Sequence, residues 1–262
     1  MPPAERDGLW ELFHENSRIT PFDGHPSDAV IAATMAAMWD TLPYAHHDRF
    51  ELPGQLASMD SGLLETILAR RTAREMRPVA LRLEELATLL HCGYGITRDN
   101  LKTGWPRPFR TVPSGGALYP LEIYVHTTLV DELPAGLYHY HPIRNDLALL
   151  FEGDLAAPLG GAFAFPEIVA DASVLIFITA VMERSTFKYA DRGYRFILLE
   201  AGHVAQNIDL AAVGLGLGAM NVGGFYEHRL DEILGIDGVG QSSVYVVGVG
   251  RDVEGEPDGG AA

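Results

Sequence analysis

The sequence predicts an α+β fold organised around one long helix, and three observations lead there. Helical and strand-like segments are mixed without the regular βαβ alternation of a doubly wound sheet. Two strand-like runs, 136–140 and 147–151, read as a hairpin turning at Ile143-Arg144-Asn145-Asp146. A continuous, largely apolar helical pattern fills 189–213, about 36 Å at 1.5 Å per residue.

In chain order, Pro26-Ser27 precedes an alanine- and methionine-rich helix over 28–41, with Ser27 placed to cap it. Loops rich in proline, histidine and aspartate surround it, so residues 1–60 read as an extension of a core spanning 61–251. The core opens with helices over 61–70 and 82–91, each apolar at helical spacing. A strand over 121–127 comes before the hairpin. Two β-branched-rich runs bounded by breakers, 174–180 and 243–249, read as buried strands. The long helix between them leads to a turn and a helix over 227–234. The acidic, glycine-rich stretch 252–262 reads as a frayed tail.

Composition narrows the function. The formal net charge of −16 disfavours nucleic acid and anionic membrane surfaces as partners. No apolar run is long enough to span a bilayer and no secretory signal is visible, which points to a cytoplasmic protein. Cys92, the single cysteine, excludes an internal disulfide and multi-cysteine metal sites, and reads as a buried thiol. Glu200, His203 and Asn207 share one face of the long helix. They read as a satisfied buried polar stripe rather than a metal site, because no third ligand of clear spacing accompanies them.

Four segments could carry chemistry. In Arg70-Arg71-Thr72-Ala73-Arg74 the residues Arg70, Thr72 and Arg74 alternate, so an extended backbone would aim three donors to one side, suited to a phosphate monoester. A solvated basic patch after a helix C-terminus is the alternative. Pro113-Ser114-Gly115-Gly116 leads into a strand; its glycines would let backbone approach a flat ligand, or form only a turn. Asn221-Val222-Gly223-Gly224 could present backbone N–H groups to a heteroaromatic ring, or serve as a plain turn. Lys188-Tyr189 opens the long helix in this reading and could act as base and proton relay, or be ordinary helix-start residues. No Rossmann fingerprint or Walker loop is present.

The four segments occur together and in order, and with them the chain resembles the SagB-type dehydrogenases, flavin-dependent azoline oxidases of the nitroreductase superfamily. The resemblance covers roughly 60–250 and rests on Arg-Arg-Thr-Ala-Arg, Pro-Ser-Gly-Gly-Ala-Leu-Tyr-Pro-Leu-Glu-Ile-Tyr-Val, Lys-Tyr-Ala-Asp-Arg-Gly-Tyr-Arg-Phe, Leu-Glu-Ala-Gly-His-Val-Ala-Gln-Asn and Gly-Leu-Gly with Gly-Gly-Phe downstream. Phe13-His14-Glu15-Asn16-Ser17-Arg18 also looks like the N-terminal segment of that group. The resemblance implies a nitroreductase-like fold, a central mixed or antiparallel sheet flanked by helices, with the long helix buried in a homodimer interface and FMN bound across it.

It also implies roles. Arg70, Thr72 and Arg74 would grip the FMN phosphate and ribityl chain, completed by Arg251. Pro113, Ser114 and Gly115 would line the flavin from the neighbouring subunit, and Gly223 and Gly224 would present donors near N5. Lys188 and Tyr189 would remove a proton while hydride passes to the flavin, turning a thiazoline or oxazoline of a ribosomal peptide into a thiazole or oxazole. A cyclodehydratase partner would deliver the substrate. The same cradle could instead serve an NAD(P)H-dependent reductase of nitro, quinone or enone compounds, or a non-catalytic flavoprotein scaffold of a peptide-modifying complex.

Overall fold

A computed structural model describes residues 8–59, 61–100 and 107–253. Nine helices are assigned among them: α1 (Leu9–Asn16), α2 (Asp28–Ala37), α3 (Leu63–Ala69), α4 (Leu83–Tyr94), α5 (Ala156–Gly160), α6 (Glu167–Asp171), α7 (Glu183–Tyr189), α8 (Arg192–Gly214) and α9 (Glu227–Leu234). The strands are β1 (Arg49–Glu51), β2 (Met76–Arg77), β3 (Ile96–Arg98), β4 (Phe109–Arg110), β5 (Leu121–Thr127), β6 (Gly136–His141), β7 (Asp146–Glu152), β8 (Val174–Val181), β9 (Gly218–Val222) and β10 (Gln241–Asp252).

The main sheet runs β1-β7-β6-β5-β8-β10-β2, with β9 on β10; β3 and β4 form a separate two-stranded sheet. Every pairing between these strands is antiparallel. The expected hairpin is β6–β7, and Asn145 takes a left-handed φ of 56° in its turn. Arg49–Glu51 of the N-terminal stretch pair with Ala148, Leu147 and Asp146, so that stretch supplies an edge strand. At the other end β10 continues through Asp252, one residue into the expected tail; residues beyond 253 lie outside the described part.

Both faces of the sheet are covered, and every residue of β5 is buried. Side chains two apart along a strand share a face. Ile123, Val125, Ile176, Ile178, Val247 and Val249 join Leu86, Leu90, Ile197, Val204 and Ile208 of α4 and α8 in one core. Tyr124, Leu175, Phe177 and Val246 pack on the opposite side with Leu159, Phe163, Ile168, Leu230 and Leu234. Each such aliphatic side chain contributes roughly 1.5–3 kcal/mol of burial. Helices α4 and α8 meet at Gly93, where a Cβ would lie 2.8 Å from Ile208 Cγ1.

Two expectations are corrected. Helix α8 starts at Arg192, because Ala190 (φ 46°, ψ −139°) breaks the chain between α7 and α8. Nothing between 189 and 192 is a proline or glycine, so the break carries no local signal. The polar stripe also splits: Glu200 is buried and Asn207 half-buried with its Nδ2 donating to Cys92 O at 3.0 Å, whereas His203 is exposed. Leu198 and Leu199 are exposed too, so α8 is apolar all round but covered on one side only.

Candidate active site

The sequence-marked residues gather in two clusters. The first surrounds the β9 edge. Arg70 caps the end of α3 with extended backbone (φ −59°, ψ 125°), and the chain then runs alongside β9, Thr72 pairing with Ala219 while Ala73 N donates to Ala219 O at 3.0 Å. Ala73 is fully buried between the exposed Thr72 and Arg74, but Arg71 is exposed as well and the chain bends at Arg74, so the segment does not keep the regular alternation expected over Arg70–Arg74. Arg70 lies near the buried carboxyl of Asp209, which burial pushes up while the Asn221 amide, donating at 2.7 Å, and the Arg70 charge oppose the shift. Gly223 and Gly224 follow β9 directly and are exposed. Arg251, also exposed, follows the last residue of β10 paired with β9. A cavity of about 440 Å³ opens here between Thr72, Arg74, Met220, Phe165, Glu167 and Asp171.

The second cluster is the turn before β5. Three of its residues hold left-handed φ: Gly116 (65°), Ala117 (53°) and Tyr119 (47°). Two of them are not glycine, and such conformations persist only where surrounding contacts impose them. A Cβ on Gly116 would lie 2.6 Å from Tyr189 Oη and 2.8 Å from Lys188 Nζ, and one on Gly115 would lie 3.1 Å from the Phe196 ring. The glycine turn therefore rests on the Lys-Tyr pair. That pair closes α7 rather than opening the long helix, and Lys188 Nζ lies 5.2 Å from the Tyr189 ring centroid.

Helix α7 is anchored from beneath. Arg184 Nη1 lies 2.6 Å from Glu122 Oε1, and His139 Nε2 lies 2.7 Å from Glu122 Oε2, all three side chains being buried. Burial alone would push the Glu122 carboxyl up, but Arg184 and His139 overcome it and hold it at about 2. From outside, the N-terminal segment straps the α7–α8 junction: Arg195 donates to Ser17 Oγ (2.8 Å) and His14 O (2.6 Å), and Phe13 meets Tyr194 edge to face. A cavity of about 460 Å³ lies between that strap and Lys188, Tyr189 and Arg192.

A buried glutamate lies beside the turn. Glu200 Oε1 accepts from Tyr94 Oη at 2.8 Å, and the Ser114 hydroxyl faces the carboxyl. Burial pushes this group up to about 7 against the opposing pull of Ser114, Tyr94 and Arg110. Arg110 stacks over the rings of Tyr94 (4.1 Å) and Tyr119 (5.1 Å). Sequence reading missed the Glu122–Arg184–His139 anchor and the Arg110 stack. The one usable signal was an acidic residue inside an apolar strand.

One chain does not bring the two clusters together. Phe196 touches the turn and Asp209 touches the β9 cluster, 13 residues apart on α8, or about 20 Å.

Comparisons with known proteins agree with this architecture. Residues 67–251 match the nitroreductase family. The Methanocaldococcus jannaschii protein MJ1384, which carries a nitroreductase name, is 38% identical over 201 residues, 76% of this chain and 96% of its own length. The microcin B17-processing protein McbC of Escherichia coli is 30% identical over 135 residues, 49% of each chain, so the match spans about half of McbC. Among solved structures, a nitroreductase-named protein of Anabaena variabilis superposes with a TM-score of 0.73 at 24% identity, over 92% of this chain and 46% of that one. A chain of the E. coli microcin synthetase McbBCD complex, with truncated pro-MccB17 bound, gives 0.59 at 19% identity, over 93% and 91%. A nitroreductase-named Desulfovibrio desulfuricans protein in complex with FMN gives 0.50 at 19%, over 78% and 91%. No helix among the described residues is long and apolar enough to cross a membrane.

Proposed function

The chain belongs to the nitroreductase family, and on that basis we propose that it is a homodimeric, FMN-dependent dehydrogenase that oxidises azoline rings of a ribosomal peptide to thiazoles or oxazoles. The observation that carries this reading is the contact between Gly116 and the Lys188-Tyr189 pair, which joins the turn expected against the cofactor to the side chains expected to take the proton.

Proteins of this family bind FMN, which when bound supplies a hydride acceptor. The β9 cluster is where its phosphate would sit: Arg70, Thr72, Arg74 and Arg251 carry guanidinium and hydroxyl donors near this edge, and Gly223 and Gly224 leave the neighbouring backbone open. Pro113, Ser114 and Gly115, about 20 Å along α8, would serve the site of a second copy. Exposed Leu63, Leu64 and Leu68 on α3 and Leu198 and Leu199 on α8 supply apolar surface for that pairing. Lys188, as the free amine, would take the proton from the ring carbon, with the Tyr189 hydroxyl passing it on. The McbC match supports a peptide substrate, and the McbBCD likeness is the reason to look for a cyclodehydratase partner.

The reading is tested on purified protein. Flavin absorption should be present, a thiazoline peptide should be oxidised, and Lys188→Ala should cut turnover by about 10²–10⁴-fold, the weight of a lost general base. Intact product formation by Lys188→Ala would reduce the protein to a scaffold. The match over 96% of MJ1384 favours a second reading, an NAD(P)H-dependent reductase. Rapid bleaching of the flavin by NAD(P)H in a stopped-flow experiment would install that reading in place of the first. Sedimentation that finds only monomer at micromolar concentration would remove the shared site.

A further inference from the structure

Lys188 and Tyr189 look two ways. On one side they meet Gly116 of the turn before β5; on the other they line the cavity of about 460 Å³ beneath the N-terminal strap. Arg192, the first residue of α8, lines the same cavity. Phe196 ties the group together. Its ring meets the Tyr189 ring edge to face at 4.9 Å, lies 5.8 Å from the Arg192 guanidinium carbon, and is the ring that a Cβ on Gly115 would approach to 3.1 Å. Between Tyr189 and Arg192 the cavity wall bends at Ala190, held at a left-handed φ of 46°. Strain of this kind in a residue other than glycine collects where a site needs a set geometry.

A guanidinium carries five N–H donors. Among the described residues Arg192 makes one hydrogen bond with them, from Nη1 to Ser17 O at 3.4 Å, the outer limit of such a contact, and its Nε is buried without a partner. Fastening the strap does not need it, because Arg195 already holds Ser17 Oγ at 2.8 Å and His14 O at 2.6 Å. Nor do the strap's own charges answer it: Arg18 is paired with Glu15, and Asp23 accepts from the N–H and the hydroxyl of Thr20. Arg192 is thus a cation beside the proposed base, with donors left for something that enters the cavity. In a peptide azoline the carbon that loses its proton also bears the carbonyl of the ring residue, and negative charge spreads onto that oxygen as the proton leaves. We propose that Arg192 is a further catalytic residue: its outer N–H groups donate to the carbonyl oxygen attached to the ring, orienting the substrate and stabilising that charge. The proton goes to the Lys188 amine, the neighbouring ring carbon gives a hydride to FMN, and a carbon–carbon double bond forms between the two, so the ring loses two electrons and FMN gains them. This deepens the azoline reading and rests on it for the substrate.

The test uses FMN-loaded protein and two peptides that differ in one group, one ending in thiazole-4-carboxamide and one in 4-methylthiazole, with binding followed by calorimetry. The wild type should bind the carboxamide tighter by about tenfold, the size of a hydrogen bond to a charged group, and Arg192→Met should bind both at the weaker level. A carboxamide preference that survives Arg192→Met overturns the proposal, as does equal binding by the wild type. Arg195→Ala, which loosens the strap and leaves the donor in place, should weaken both peptides alike; loss of the preference there would make Arg192 a part of the strap and overturn its role. On the matching thiazoline peptide, Arg192→Met should lower kcat by about 10²-fold with flavin absorption intact. Turnover at the wild-type rate would overturn the role and leave the azoline reading standing. Should Arg192→Met not fold, Arg192→Lys keeps a cation but not the planar fork, and should reduce the preference by about threefold; an undiminished preference overturns the proposal equally. A wild type that prefers the carboxamide but oxidises no thiazoline peptide would sink the azoline reading and keep Arg192 as a carbonyl-binding residue.

Discussion

Two glutamates, equally buried, one on a strand of the sheet and one on the long helix packed over it, meet opposite fates. Glu122 on β5 is 1% exposed and Glu200 on α8 is 2% exposed. Glu122 is locked between Arg184 and His139 and titrates at about 2; Glu200 has tyrosine and serine hydroxyls but no paired cation, and titrates at about 7. The first is a fixed charge that pins α7, and so Lys188 and Tyr189, to the sheet. The second can gain or lose a proton near neutrality and touches the turn on the other side of the same pair. Burial alone does not decide what a carboxyl group does; the nearest cation does.

The largest effect should come from breaking the fixed pair. Arg184→Ala leaves the Glu122 charge buried beside His139 alone, and should cost about 3–5 kcal/mol in urea unfolding at pH 7. A loss under 1 kcal/mol would mean that the pair is not the anchor of α7. Next comes the pH dependence, where the two glutamates oppose each other. Glu122, depressed in the folded state, contributes stability above its unfolded value of 4.5 and loses it as pH falls towards 2. Glu200, raised in the folded state, favours folding below 4.5 and loses that contribution, roughly 3 kcal/mol, as pH rises to about 7. The stability difference between wild type and Glu200→Gln should therefore change across pH 4.5–7 and stay constant above it. A difference that is level throughout would place Glu200 among ordinary carboxylates.

Smaller still is Gly116→Ala. Its φ of 65° should cost about 1–2 kcal/mol in stability, while the added Cβ, 2.6 Å from Tyr189 Oη, should displace the Lys-Tyr pair and lower turnover far more. Equal loss of stability and activity would show the contact to be passive. The smallest effect belongs to Arg71→Ala. Its 2.7 Å pair with Asp252 is half exposed on the arginine side and should be worth under 1 kcal/mol in the same unfolding assay. A much larger cost would mean that the cationic segment is held in place by this pair rather than by its pairing with β9.

Much of the frame was legible because it depends on local pattern. The strand over 121–127 and the helix over 227–234 fell where their apolar spacing and breakers put them, and Ser27 caps α2 by accepting the Val30 N–H. The break at Ala190 was not legible, since its strain is imposed by the packing of α7 and α8 and not by any residue that favours it. Short β2 and β9 also escaped, because two- and five-residue edges owe their shape to β10. Glu122 sits in a strand whose neighbours are apolar, and its two partners come from 17 and 62 residues downstream.

By itself, then, the sequence determined which segments are helix or strand and which residue types stand ready for phosphate, ring and proton, because those follow from periodicity, turn chemistry and donor inventory along a few neighbouring positions. Only the tertiary structure decided which of these meet: that the glycine turn lies on Lys188 and Tyr189, that the cluster at the β9 edge sits about 20 Å away along α8, and that of two buried glutamates one is held low and the other pushed up. Ionisation and proximity depend on what chain folding brings within a few ångströms from distant positions, and no local pattern encodes that distance.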